Sequence, residues 1–190
     1  FDALRDQGWV DLQVNNTILN EKTQLEPITV ISFLNGDTLD FGVNYYASGL
    51  LDNLNLEGKF YPLDSTLFQV QFEQSNLVIL EMPWEIDSSN YITFGKNFFE
   101  ANNFTLESRE RKIVVESVHN RGAKVLLTDF DFNFIDELWD YEPLNFSGHF
   151  DVTAEIGNIF EMKNLKATII SDSFYINNDP YGKFTLVASV

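Results

Sequence analysis

The side chains best suited to catalysis are scarce in this chain. It contains no cysteine, which excludes disulfides, thiolate nucleophiles, cysteine-ligated zinc and iron–sulfur clusters together. Histidine occurs only at His119 and His149, too few for a multi-histidine metal site. Ser147 and His149 stand two apart, which on a strand makes their side chains neighbours on one face. No third member of a triad accompanies them and no Gly-x-Ser-x-Gly elbow occurs, so a structural role is the expectation. Asp129-Phe-Asp131-Phe-Asn133 begins like a calcium loop, but Phe134 and Asp140 stand where that loop needs Gly and Glu. Phe at every second place points instead to a strand with solvated acids on one side. Because the chain holds 29 Asp and Glu, a carboxylate pair for glycoside hydrolysis can always be imagined, and acid content identifies none. Gly148 and Gly157 stand alone within strand patterns and form no phosphate-binding loop. Asn15-Asn-Thr17, Asn103-Phe-Thr105 and Asn145-Phe-Ser147 fit the glycosylation sequon, which matters only in a eukaryotic secretory protein. The expectation is a protein that is not an enzyme and needs no cofactor or metal.

The elements that would hold any site have a period of two. Phe146, Gly148, Phe150, Val152, Ala154 and Ile156 share one side of a run whose other side carries Ser147, His149, Asp151, Thr153 and Glu155. That pattern is a strand with one apolar and one wet face. Phe184, Leu186, Ala188 and Val190 repeat it, as do Leu39–Tyr45, Leu54–Phe60, Phe68–Phe72 and Phe130–Phe134. Asn35-Gly36 reads as a two-residue hairpin turn. His119–Gly122 and Asn177–Gly182 join further strands, and all five prolines fall between runs. One short helix is expected at Ile135–Tyr141. A weak recurrence of Gly, then Lys or His, then Phe appears in Leu56–Phe60, Phe146–Phe150 and Tyr181–Phe184.

Composition sets the outer limits. Hydrophobic residues at 44% and charged residues at 22% exclude intrinsic disorder in a chain of 190 residues. The net charge of −17 repels phosphate backbones, and the densest basic run, Arg109, Arg111 and Lys112, is interrupted by Glu110. Nucleic acid is therefore not an expected partner. No run approaches the roughly 20 apolar residues of a membrane-spanning helix. The chain opens at Phe1 and ends in mid-alternation, which predicts a segment of a longer protein; with no linker inside it, 1–190 is expected to be a single β-rich segment. With 18 Phe, the apolar side of such a sheet is extensive. It would be either the core of a closed sandwich or the open concave face of a curled sheet, and periodicity does not separate the two.

From Met82 onward the order of motifs resembles TamB proteins of the Bacteroidota. Pro83-Trp84-Glu-Ile86 followed by Asn90-Tyr-Ile92-Thr-Phe94 is similar to that family's Trp-containing strand pair, and Lys112–Ser117 to its following short strand. Asp129–Ile135 resembles the acidic-aromatic strand leading to a short helical link, and Leu144–Phe150 the strand opening the next unit. Phe174–Asn178 with Tyr181–Leu186 is similar to the closing pair. The likeness is best over 82–190 and holds only in general style before that. It implies an all-β, AsmA-like fold, an antiparallel sheet curled into an elongated, taco-like groove with an apolar interior. It implies a periplasmic location in a parent anchored to the inner membrane of a Gram-negative bacterium, and a TamA-type outer-membrane barrel as the parent's partner. Its cargo would be phospholipid acyl chains or unfolded outer-membrane protein strands. The groove-lining expectations are Phe130, Phe132, Phe146, Phe150, Val152, Ile156, Leu165, Ile169, Phe184 and Leu186. The alternative is a closed β-sandwich module of a secreted protein, binding carbohydrate or protein through exposed Trp84, Trp139 and Tyr141.

Overall fold

The structure is a computed structural model that describes residues 7–14, 17–18, 24–25, 27–46, 51–73, 75–79, 82–132 and 144–190. Every regular element among them is a β-strand, as the alternation predicts. The helix expected at Ile135–Tyr141 lies outside the described residues. The chain divides into two compact units, Phe1–Lys96 and Asn97–Val190.

The first unit contains β1 (Gln7–Val14), β2 (Thr17–Ile18), β3 (Gln24–Leu25), β4 (Ile28–Asn35), β5 (Thr38–Tyr46), β6 (Leu51–Pro62), β7 (Leu67–Phe72), β8 (Asn76–Ile79), β9 (Met82–Ile86) and β10 (Tyr91–Gly95). Its antiparallel sheet runs β1-β4-β5-β6 and then forks, while β2 and β3 pair separately. The first half of β6 pairs with β8, which pairs with β9; the second half pairs with β7, which pairs with β10. The hairpin turn read at Asn35-Gly36 sits one residue later. Asn35 pairs with Thr38, leaving Gly36 and Asp37 as the loop, with Gly36 taking the positive φ of 60°.

Fully buried Asn90 ties the fork together. Its Oδ1 accepts from the Phe72 amide at 3.0 Å, and its Nδ2 donates to the Phe72 carbonyl at 2.8 Å and to the Asp87 carbonyl. The side chain thus supplies the end of β7 with the pair of bonds a strand neighbour would give. The recurrent glycine also acquires a reason here. Gly58 is paired with Phe41 on one side and Phe72 on the other, and their rings meet edge-to-face at 6.1 Å. A Cβ on Gly58 would come within 2.7 Å of the Phe41 ring.

The second unit contains β11 (Phe98–Asn102), β12 (Phe104–Ser108), β13 (Arg111–Val118), β14 (Gly122–Asp131), β15 (Phe146–Asn158), β16 (Lys163–Ile176) and β17 (Asp179–Ser189). Strands β12 to β17 follow one another as an antiparallel meander in chain order. Two of its turns are the tight kind that suits strand twist. His119 and Asn120 both have positive φ, of 50° and 57°, and the Arg121 amide donates back to the Val118 carbonyl at 3.2 Å. Asn177 and Asn178 have φ of 51° and 69°, and Ile176 pairs with Asp179 across them. Asn tolerates this left-handed region better than most residues, so it fixes hairpin and register together. Neither sheet closes on itself: β1 and β17 have no further strand on their outer sides among the described residues.

Candidate functional site

Register places the ten residues expected to line a groove on one face of the second unit. Leu106, Ile113, Leu127, Val152, Ile169 and Leu186 are successive cross-strand partners from β12 to β17 and form one apolar row. The next row on that face is Phe104, Val115, Val125, Ala154, Ala167 and Ala188. Beyond it Ile156 pairs with Leu165, which exchanges both backbone bonds with Val190. The opposite face carries Glu116, Lys124, Glu155 and Lys166 as a row of alternating charge. Unlike charges thus lie opposite one another across neighbouring strands, and Lys124 approaches Glu116 at 3.3 Å.

The rows end in an aromatic cluster on the same face. Phe130 pairs with Phe150, and the Phe132 amide donates to the Gly148 carbonyl at 3.0 Å. Ring centroids lie 4.6 Å apart for Phe132 and Phe150, 4.9 Å for Phe132 and Phe174, and 4.8 Å for Phe174 and Phe184. Phe146 stacks on Phe174 at 5.9 Å, and Tyr181 lies 6.2 Å from it. Phe174 is central and absent from the expected set. It pairs with Gly148 of β15 and with Gly182 of β17. Gly148 takes φ of 109°, and a Cβ there would meet the Ser173 carbonyl oxygen at 1.6 Å. Only glycine fits that position.

Two β-bulges bring the aromatics onto the apolar face. Counted in twos from Leu127, Phe130 would fall on the wet side; counted in twos from Ile169, so would Phe174. Each strand inserts an extra residue, between Leu127 and Phe130 in β14 and between Ser171 and Phe174 in β16. Asp129 occupies the first bulge with φ of 58°, and its amide donates to Asp151 Oδ1 at 2.8 Å. Asp151, read from the sequence as a wet-face residue like Glu155, therefore holds the bulge. At the second bulge Ser171, 2% exposed, donates its hydroxyl to the His149 carbonyl at 2.7 Å.

This network also accounts for the residues with chemical potential. His149 Nδ1 lies 3.0 Å from Asp129 Oδ1, so the imidazole is oriented by a carboxylate. The Ser171 hydroxyl bonds the His149 backbone carbonyl, not its ring. Asp129 and Asp131 lie at the end of β14, Asn133 is outside the described residues, and among those described no group of three His, Asp or Glu converges as for a metal ion.

Exposure grades along the face. Phe130, Phe132 and Phe150 are 5%, 4% and 6% exposed, whereas Leu165 is 42% and Leu186 54% exposed. Phe146, Val152, Ile156, Ile169 and Phe184 are half-buried. The aromatic end is thus the core of the unit, and the aliphatic end meets solvent. Trp84, which the alternative of a closed β-sandwich module would expose for binding, is 3% exposed and pairs with Leu77 inside the first unit; Trp139 and Tyr141 lie outside the described residues. A depression of about 490 Å³ lies over Gly42 of the first unit, between Ile31, Phe33, Asp40, Asn44 and Glu57.

Fold and site together define an all-β protein of open antiparallel sheet whose second unit has one apolar face and one face of mixed charged, polar and aliphatic residues. No family model matches the chain, and neither the curated proteins nor the solved structures hold a match to it.

Proposed function

We propose that this chain is a non-enzymatic periplasmic segment of a TamB-like protein and serves outer-membrane biogenesis through its apolar β-face. The cargo is phospholipid acyl chains moving between the inner and outer membranes, unfolded outer-membrane protein strands, or both. The parent, anchored in the inner membrane, meets a TamA-type barrel at the far side. One observation carries the reading: the aliphatic row from Leu106 to Leu186 crosses β12 to β17 and stays partly open to solvent. With strands about 4.8 Å apart, the row is roughly 24 Å long. That exceeds the roughly 15 Å depth of one bilayer leaflet's hydrocarbon, so a single acyl chain lies within it. The charged row Glu116, Lys124, Glu155 and Lys166 on the reverse face helps keep such a surface in water, and the apolar face lowers the cost of carrying hydrocarbon through it.

The test is native mass spectrometry of the gently purified chain, with lipid extraction, alongside titration with the neutral dye N-phenyl-1-naphthylamine. Retained phospholipid in defined ratio, or dye binding without loss of β-sheet circular dichroism, supports the reading. Val152→Glu should reduce dye binding at least tenfold; should it unfold the chain, the exposed Leu186→Glu serves instead. A folded variant that binds dye like the parent chain overturns the proposal, as does a wild-type chain that rejects both probes.

A further inference from the structure

Gly42 stands in the middle of β5 without the crowding that fixes other strand glycines of the first unit. A Cβ on Gly58 would meet the Gln71 carbonyl oxygen at 2.6 Å, and one on Gly95 would run into the Thr66 carbonyl oxygen. A Cβ on Gly42 would meet nothing within 4 Å, and its φ is not left-handed. Its pairing with Ile31 on one side and Glu57 on the other runs through without a register shift, so no bulge calls for it. Glycine weakens a strand interior, and with bulge and close backbone both set aside, the remaining structural reason is the approach of a ligand. The missing side chain leaves the depression of about 490 Å³ over Gly42, within the roughly 300–1,000 Å³ of small-molecule sites. Its sides differ. Ile31 and Phe33 of β4, 48% and 43% exposed, form an apolar wall. Glu57 and Lys59 of β6 stand across from them, and Asp40 and Asn44 of β5 close the two ends. With strands about 4.8 Å apart and roughly 3.4 Å per residue, the gap is about 10 Å across and about 14 Å long between backbones.

We propose that this depression binds a neutral sugar ring, the apolar wall taking the C–H face of the ring and the polar side its hydroxyls. The mixture of hydrogen-bonding groups selects the ligand. Asn44 Oδ1 accepts from Asn55 Nδ2 at 2.9 Å, which leaves the Asn44 amide nitrogen as a donor. Asp40 and Glu57 are acceptors, and Lys59 is a donor whose charge is met by Glu73. An ammonium ligand only donates, so it leaves Asn44 unanswered and meets the like charge of Lys59. A phosphate only accepts, and the carboxylates of Asp40 and Glu57 repel it. A hydroxyl both donates and accepts, so a ring carrying several answers both kinds of group. The site lies in the first unit and does not depend on the apolar face of the second.

Amide chemical-shift titration of the whole chain by NMR tests this. The probes are the methyl glycosides of glucose, galactose, mannose and N-acetylglucosamine at millimolar concentration, with n-butylamine and inorganic phosphate as charged comparisons. At least one glycoside should bind and shift the Gly42 amide, and neither charged probe should. Gly42→Val has room for its Cβ and suits a strand, so it should fold, melt no lower than the parent chain and weaken that glycoside at least tenfold. Phe33→Ala strips the apolar wall but leaves the gap; it should also weaken binding, and it serves alone if the valine variant unfolds. Four glycosides that all fail to bind, a charged probe that shifts Gly42 in their place, or a folded variant that binds like the parent chain each overturns the proposal.

Discussion

Phe132→Ala separates the structural end of the apolar face from its available end. The Phe132 ring is 4% exposed and lies 4.6, 4.9 and 5.9 Å from the rings of Phe150, Phe174 and Phe184. Truncation removes the buried hydrocarbon, leaves a cavity and deletes three ring contacts, for a cost of roughly 3–5 kcal/mol. In a unit of this size each kcal/mol shifts the melting temperature by about 4–8 °C, so a central cost of roughly 4 kcal/mol lowers it by roughly 16–32 °C. Leu186→Ala is the control. Its side chain is 54% exposed on the edge strand, so it loses about 1 kcal/mol or less. The assay is thermal unfolding by far-ultraviolet circular dichroism, with near-ultraviolet spectra reporting aromatic packing. Phe132→Ala should melt far earlier and lose near-ultraviolet intensity; Leu186→Ala should do neither. If both melt within a few degrees of each other, the division of the face into a packed aromatic end and an open aliphatic end is refuted.

Two further outcomes follow from single side chains. Asp151→Ala should cost about 1 kcal/mol, through the bond it gives the Asp129 amide, while Glu155→Ala should stay within about 0.5 kcal/mol; paired denaturant titrations check the difference, and equal values would remove Asp151 from the bulge. Asp64 accepts from the Thr66 amide at 2.7 Å, the Thr66 hydroxyl at 2.8 Å and the Leu67 amide at 2.9 Å, and these bonds hold its carboxyl below the ordinary 3.8. A depressed carboxyl stabilises the fold above its unfolded value and loses that contribution as pH falls through its folded one. Asp64→Ala should therefore flatten the acid limb of the stability profile and lower the limb above neutrality by a constant amount without changing its slope, measured by melts from pH 2 to 8.

The strands and their apolar sides were readable because a two-residue period survives any tertiary context that keeps one face dry. All ten residues expected to line a groove share one face for that reason, each counted within its own strand. The phase between segments was not readable. Asp129 gives no sequence sign that it is the extra residue of β14, since Asp in mid-strand also reads as a wet-face acid. Phe174 was missed for the same cause, as a bulge shifts it out of step with Ile169 and Ser171. The glycine recurrence was visible but unexplained, because its meaning lies in the cross-strand partners Phe41, Phe72 and Phe174, which no local spacing reveals. The sandwich-module alternative needs Trp84 on the surface, whereas it is 3% exposed in a strand paired with Leu77, a burial that no local spacing reveals.

The two bulges also explain how one face serves both stability and exposure. Without them, β14 and β16 would send Phe130, Phe132 and Phe174 to the charged side, and Phe150 and Phe184 would have no rings to pack against. With them, the large rings gather at one end of β14–β17 and supply each other's burial, at roughly 1.5–3 kcal/mol per fully buried Phe. The aliphatic rows beyond are then released from carrying the fold alone. Leu165 and Leu186 can stay open to solvent at a stability cost that the aromatic end offsets. A sheet whose core was spread evenly along the face would have to close over it. Concentrating the core at the bulges is what permits the rest of the face to stay open to solvent.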